Sequence, residues 1–364
     1  MKVLQDRRLL IFAGKGGVGK TTTSCATALA LAKQGRRTLL VTVDPAKRLE
    51  DALGLEIGFK ETPIQPNLSA MMLDPGSVVT EHFERELPQL KVTEHPMFRY
   101  VTDYLPGLNE LMAIGKLNDF RREGKYDVIV IDTAPTGHAL SFLGVPKAMK
   151  ELMSEKSLLK WAVRGYTVWQ KVSGAAKNVG NVFKKKADRK SGPPDIDFEQ
   201  VFADIQKEAE TIQGFLSDPE HSGLVLVTLP EKLPVEETFD LHRAVTEDLG
   251  MHVAHIVVNK VQPDALEGVQ AEFDALNGDD TARAAFIQKT AKATGASSPL
   301  VEALLRATRF NEIRRTMNLE YIEHLQQGLP GVPLVRVPLF DQDVQGLRRL
   351  ASFERELFDD ANLA

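Results

Sequence analysis

The chain has 364 residues, 43% of them hydrophobic, with 45 basic and 50 acidic side chains and a formal net charge of -5. That length buries a large core, in one domain with insertions or in two domains; the mild acidity excludes a globally basic nucleic-acid binder, and no nucleic acid is expected as a partner. One cysteine, Cys25, excludes an intrachain disulfide and a cysteine-rich zinc site, which fits a reducing, cytoplasmic compartment.

The longest apolar runs, such as Val128–Ile131, fall far short of the roughly 18 residues that suggest a membrane span. Membrane contact is therefore expected only transiently or through a partner. Arg7-Arg8 before an apolar run looks superficially like a signal peptide, but the run Leu9–Ala13 ends at once in Gly14-Lys15-Gly16-Gly17-Val18-Gly19-Lys20-Thr21. Strand, glycine loop and helix in that order are the context of a phosphate-binding P-loop. Gly14, Gly16, Gly17 and Gly19 let backbone N–H groups around Val18 turn inward, and the helix N-terminus adds positive potential. Lys20 is expected to reach the β/γ-phosphates and Thr21 to offer its hydroxyl to Mg²⁺. Lys15 is a second lysine that an ordinary P-loop does not need. Thr22 opens a helix running to Gln34, with Cys25 on its apolar face as a small core residue and Gly35 as its C-terminal stop.

Arg37–Val43 reads as a second buried parallel strand, ending in Asp44-Pro45-Ala46, where ligands bind in open α/β sheets. Leu68–Leu73 reads as a third. Residues 77 to about 123 turn helical, divided by prolines 88, 96 and 106. Tyr126–Ile131 is a strand running into Asp132-Thr133-Ala134-Pro135-Thr136-Gly137-His138. An acid after such a strand is the second Mg²⁺ anchor of P-loop enzymes, acting through water, and the Pro/Gly loop after it is suited to sensing a γ-phosphate.

Residues 147–220 read as a second insertion. Leu158, Trp161, Tyr166 and Trp169 lie in a segment apolar nearly all round, which something must bury. A glycine- and lysine-rich piece follows. Together they suggest a surface that captures an apolar partner, with packing onto its own domain as the alternative. Leu224–Leu229 and Ala254–Val258 are strands joined by a helix over Val235–Leu249, and the second runs into Asn259, whose amide both donates and accepts and so suits an adenine edge. His252 and His255, three apart on a strand, point to opposite faces and make no metal pair. A third helical insertion spans 264–327. A last strand, Leu334–Val337, leads into Pro338-Leu339-Phe340, and Val344, Leu347 and Leu350 mark a C-terminal amphipathic helix.

The expected fold is α/β: a P-loop NTPase with a mostly parallel, doubly wound sheet and helical insertions. Its core comprises 1–76, 123–146, 221–263 and 330–364, and a helical client or partner subdomain comprises 77–122, 147–220 and 264–329.

The segments GKGGVGKTT, VTVDPA and VIDTAPTGHALSFL, the strand-end Asn259 and VPLFDQDVQGL stand in one order that resembles the arsenite-pump ATPase and tail-anchored-protein targeting ATPase family. That family belongs to the signal-recognition, Min and nitrogenase iron-protein class of P-loop proteins. The resemblance implies a cytosolic homodimer that hydrolyses ATP with Mg²⁺ and whose switch loops gate a hydrophobic surface for a client helix. It implies that Lys15 reaches the partner's nucleotide, while Lys20 and Thr21 hold phosphate and Mg²⁺. Asp44 becomes the switch-I acid that positions or deprotonates the attacking water. Asp132 becomes the switch-II acid, with Pro135, Thr136 and Gly137 linking the γ-phosphate to the helical subdomain. Asn259, Pro338, Leu339 and Phe340 hold adenine.

The chain departs from the family in several places. It lacks the cysteines for an interfacial zinc staple, for a metalloid site and for an iron–sulfur cluster. Lys47 stands where the family often has His, and Ala139 and Ser141 replace larger or polar residues. An anion- or arsenite-efflux ATPase subunit is a second reading, opposed by cysteine usage. A partition or Min-like positioning ATPase is a third, opposed by the long helical insertions.

Overall fold

The computed structural model describes residues 4, 6–44, 46, 48–74, 76, 78, 107–152, 198–359 and 362. Its centre is one eight-stranded sheet: β1 (Leu9–Ala13), β2 (Thr38–Thr42), β3 (Thr62–Gln65), β4 (Leu68–Met72), β5 (Val128–Asp132), β6 (Ser222–Thr228), β7 (Val253–Val261) and β8 (Leu334–Pro338). The order across it is β3-β4-β2-β5-β1-β6-β7-β8. Every pairing is parallel except β3 with β4. β3, which sequence reading did not anticipate, carries Thr-Pro-Ile-Gln and lies half-buried at the edge, so it lacks the apolar run that betrays an inner strand.

The parallel strands are mostly apolar because both faces are covered. Alternation divides them: Leu9 and Ile11 enter one buried cluster, Leu10 and Phe12 the other. The second cluster lies under α1 (Lys20–Lys33), α2 (Arg48–Leu53) and α10 (Gly346–Phe358), and takes in Cys25, Leu31, Leu49 and Phe353. Cys25 is fully buried, the core residue expected, and burial pushes its thiol pKa well up.

The first cluster takes in α3 (Leu108–Arg122), α4 (Thr136–Leu152) and α5 (Phe198–Leu216), with Leu111, Leu143 and Ile212 beside Ile129 and Ile131 of β5. The expected boundary at 146–147 falls inside α4, which continues through Pro146. The helix expected over 235–249 begins earlier, as α6 (Lys232–Arg243), and ends in a π turn over Ala244–Asp248. Pro234 sits in its first turn, where a missing N–H is harmless.

The third insertion is α7 (Gln270–Gly278), α8 (Asp280–Thr294) and the 31-residue α9 (Ser298–Gly328). Asp279 caps α8 by accepting from the N–H groups of Thr281 and Ala282, and Ser297 caps α9. Leu158, Trp161, Tyr166, Trp169 and Lys47 lie outside the described residues. No helix among the described residues is long and apolar enough to cross a membrane, and none of their acids and histidines groups as a metal site.

Candidate nucleotide site

The parallel strands deliver their C-terminal ends to one edge. Phe12 and Thr42 both lie in register with Asp132, so the loops after β1, β2 and β5 emerge side by side. The P-loop is held against β6 and β7. Gly14 has φ 154°, and a Cβ there would lie 2.2 Å from the Val227 carbonyl oxygen. Gly19 has φ 99°, and a Cβ there would lie 2.2 Å from Asn259 Nδ2. Only glycine allows either approach. Asn259 Nδ2 donates to the Val18 carbonyl (2.9 Å), and its Oδ1 accepts from Lys260 N (2.9 Å). Asn259 thus braces the loop from β7, with one amide N–H left over for a ligand.

Lys20 is buried and donates from Nζ to the Lys15 carbonyl at 2.9 Å. Burial lowers its pKa, while Asp132 and Asp44 pull the other way. Thr21 Oγ1 donates to Asp132 Oδ2 at 2.7 Å. Asp132 is fully buried, and burial pushes its pKa up to about 7 against the Thr21 bond and Lys20. Its other oxygen, Oδ1, has no hydrogen-bond partner. A buried carboxylate oxygen without a donor beside the P-loop hydroxyl is a place where a hydrated cation fits.

Asp44 is buried beyond β2. Its Oδ1 accepts from Ala46 N (3.0 Å) and its Oδ2 faces Arg48 Nη1 at 3.2 Å. Thr133 Oγ1 donates to the Phe12 carbonyl at 2.7 Å, tying the loop after β5 to β1. Pro135 borders the P-loop, since a Cβ on Gly16 would lie 3.9 Å from its Cγ. Thr136 begins α4, and the Gly137 carbonyl accepts from Ser141 Oγ. Ala139 is buried in the core.

Lys15 Nζ lies 2.7 Å from Glu237 Oε1 on α6, and Glu237 Oε2 is buried without a hydrogen-bond partner.

A cleft of about 570 Å³ is lined by nine of the expected residues, Gly17, Gly19–Thr22, Asn259 and Pro338–Phe340, while Asp44, Asp132 and Pro135 lie outside its lining. Gly17, Gly19, Lys20, Thr21, Thr22, Arg48 and Asp51 line it, together with Asn259, Lys260, Pro338, Leu339, Phe340, Gln342, Asp343, Gln345 and Phe353. The Leu339 N–H donates to the Val261 carbonyl at 2.8 Å, and Phe340 stacks on Phe353 with centroids 5.6 Å apart. A phosphate loop in the same cleft as the stacked Phe340–Phe353 pair suits a purine nucleotide. Asp132 borders the cleft through Thr21, and Asp44 through Arg48. Sequence reading missed Arg48, Asp51 and Glu237. Arg48 had a signal, four residues beyond an acid at a helix start; Glu237 had none.

A parallel sheet whose first strand feeds such a loop, with acids at the ends of neighbouring strands, defines a P-loop nucleoside triphosphatase. The model of the anion-transporting ATPase family matches residues 7–291, so the chain belongs to that family. It is an ATPase, and ATP is its nucleotide. A putative arsenical pump-driving ATPase of Prosthecochloris vibrioformis is 27% identical over 98% of this chain and 76% of its own length. The ATPase GET3 of Mycosarcoma maydis is 34% identical over 65% of this chain and 68% of its own. An arsenical pump-driving ATPase of Acidiphilium multivorum is 31% identical over 76% of this chain and 42% of its own.

Proposed function

We propose that the chain is a cytosolic homodimeric ATPase that uses Mg²⁺ and couples hydrolysis to an apolar client surface on its helical segments. The Lys15–Glu237 pair carries the reading: Lys15 Nζ is engaged by Glu237 on α6 at 2.7 Å, and Lys15 does not line the chain's own cleft. In this reading the ammonium exchanges Glu237 for the nucleotide of a facing copy.

In this reading Lys20 and the P-loop N–H groups bind and orient the phosphates, and phosphoryl transfer depends on such positioning. Thr21, and Asp132 through water, would hold Mg²⁺, which when bound neutralises charge on the β- and γ-phosphate oxygens. Asp44 orients the attacking water and accepts its proton once Arg48 turns away. Asn259, Pro338, Leu339 and Phe340 enclose adenine. Movement at Pro135, Thr136 and Gly137 passes into α4, which is packed against α5, and so toward the segment of Leu158, Trp161, Tyr166 and Trp169. The buried, protonated thiol of Cys25 argues against soft-metalloid capture.

A fluorescent apolar helix peptide, titrated with ADP and with a non-hydrolysable ATP analogue, tests the client step. Nucleotide-dependent affinity is expected. No binding in any nucleotide state removes the client from the proposal, and arsenite-stimulated hydrolysis replaces it with an efflux role.

A further inference from the structure

Arg48 opens α2, one helical turn beyond Asp44, and lines the nucleotide cleft beside Gly19, Lys20 and Thr21. Its side chain is 51% exposed, whereas that of Asp44 is 9% exposed. The ion pair between them is therefore unequal: the acid is fixed and the arginine is able to turn. Asp44 N donates to Thr42 Oγ1 at 3.2 Å, and Ala46 N donates to Asp44 Oδ1 at 3.0 Å. Oδ2 is the oxygen left to act on a water, and Arg48 Nη1 covers it at 3.2 Å.

The arginine also faces a like charge. It lines the same cleft as the buried ammonium of Lys20, on which it acts as a repelling cation while Asp132 and Asp44 attract. An anion between two such cations makes both of them partners. Lys20 of a P-loop meets the β- and γ-phosphates, so the group it holds is delivered beside Arg48. A guanidinium presents its donors as a planar fork, and a phosphate accepts two of them at once. The γ-phosphate is the group concerned. In-line attack sets the water against the γ-phosphorus, so the carboxylate that orients the water, and the arginine bound to that carboxylate, stand on the γ side.

We propose that Arg48 reads the γ-phosphate: on ATP binding its guanidinium moves from Asp44 Oδ2 to the γ-phosphate oxygens, which supplies a catalytic cation in the same step that uncovers Asp44 for water. ADP has no γ-phosphate and leaves Arg48 on Asp44. Arg48 neither gives nor takes a proton; it neutralises charge on the group being transferred. This rests on the reading of Asp44 as the water-orienting acid, and it needs no second chain.

The test uses the full chain with Mg²⁺ and compares the affinities of ADP and a non-hydrolysable ATP analogue by titration calorimetry. Arg48→Ala is expected to weaken the analogue by about 10- to 100-fold, as for a lost charge-assisted hydrogen bond, and to leave ADP affinity nearly unchanged. Retained ADP binding also shows that the variant is folded. Arg48→Lys keeps the charge and loses the fork, and is expected to fall between. Turnover at saturating ATP is expected to fall in Arg48→Ala, because the cation is lost although Asp44 is uncovered. A loss shared equally by ADP and the analogue, or no loss for either, overturns the inference and leaves the nucleotide cleft standing. Faster turnover in Arg48→Ala also overturns it, since Arg48 then does no more than restrain Asp44. A wild-type chain that binds neither nucleotide overturns the cleft itself, and the inference with it.

Discussion

The nucleotide cleft and α9 invert one another. Around the cleft, polar groups are hidden: Lys20, Asp44, Asp132 and Asn259 are all buried, and each has a named partner within the chain. On α9, apolar groups are bare, and α8 beside it buries none of its side chains. Burying an ion costs several kcal/mol unless it is paired, so the cleft needs contributions from β1, β2, β5 and β7 at once. Exposed apolar residues need only one helix. The cleft gathers paired polar groups from several strands, whereas α9 leaves Leu300, Leu304, Phe310, Ile313 and Met317 exposed to solvent.

Substitutions in the two regions should therefore differ in kind. The largest effect is expected at Lys15. Lys15→Ala should keep ATP affinity, read by fluorescent nucleotide binding, and lower hydrolysis by about 10³-fold or more, as for a cation delivered in trans. Normal hydrolysis in that variant would leave Lys15 with a structural role toward Glu237 alone.

Phe353 joins the core to the cleft. Phe353→Ala should cost about 3–5 kcal/mol in urea unfolding and also weaken ATP binding, because Phe340 loses its stacking partner. An effect on stability without one on binding would detach Phe340 from the adenine wall.

His255 is buried on β7, and burial lowers its pKa to about 4. Its ordinary value is about 6.5. Between those values the unfolded chain binds a proton that the folded chain refuses, so stability is full above about pH 6.5 and falls as pH drops toward 4. The loss is on the order of 3 kcal/mol. Urea midpoints for His255→Leu should show a shallower acid decline than those of the wild type. Equal slopes would assign acid sensitivity to other groups.

The smallest effect is expected on α9. Phe310→Asp should change stability, read by urea unfolding, by no more than about 0.5 kcal/mol. A larger loss would mean that Phe310 packs within the chain, and the contrast with Phe353 would collapse.

The parallel sheet was legible because strands covered on both faces read as unbroken apolar runs, from Leu9–Ala13 to Leu334–Pro338. β3 was illegible because a half-buried edge strand has no such run. Gly14, Asp44 and Asp132 stand at or just past the ends of β1, β2 and β5, where sequence reading expected them, whereas β7 runs on to Val261 and so carries Asn259 two residues inside its end. Glu237 was not legible, since only the folded chain brings α6 to the P-loop across 222 positions. α9 is the instructive case. Ile313, Met317 and Ile322 look alike on its helical pattern, yet Ile322 is buried and the other two are exposed. Periodicity marks an apolar face without saying whether the chain itself covers it.

The central claim is that Lys15 acts on a neighbouring copy's nucleotide while Asp44 acts on its own. The direct measurement is ATP hydrolysis by a mixture of Lys15→Ala and Asp44→Asn chains, each nearly inactive alone. A mixed dimer unites the Asp44 of one chain with the Lys15 of the other at one site. The account predicts that mixing restores a substantial fraction of wild-type turnover, rising with total protein concentration. A mixture no more active than the sum of its parts would contradict it.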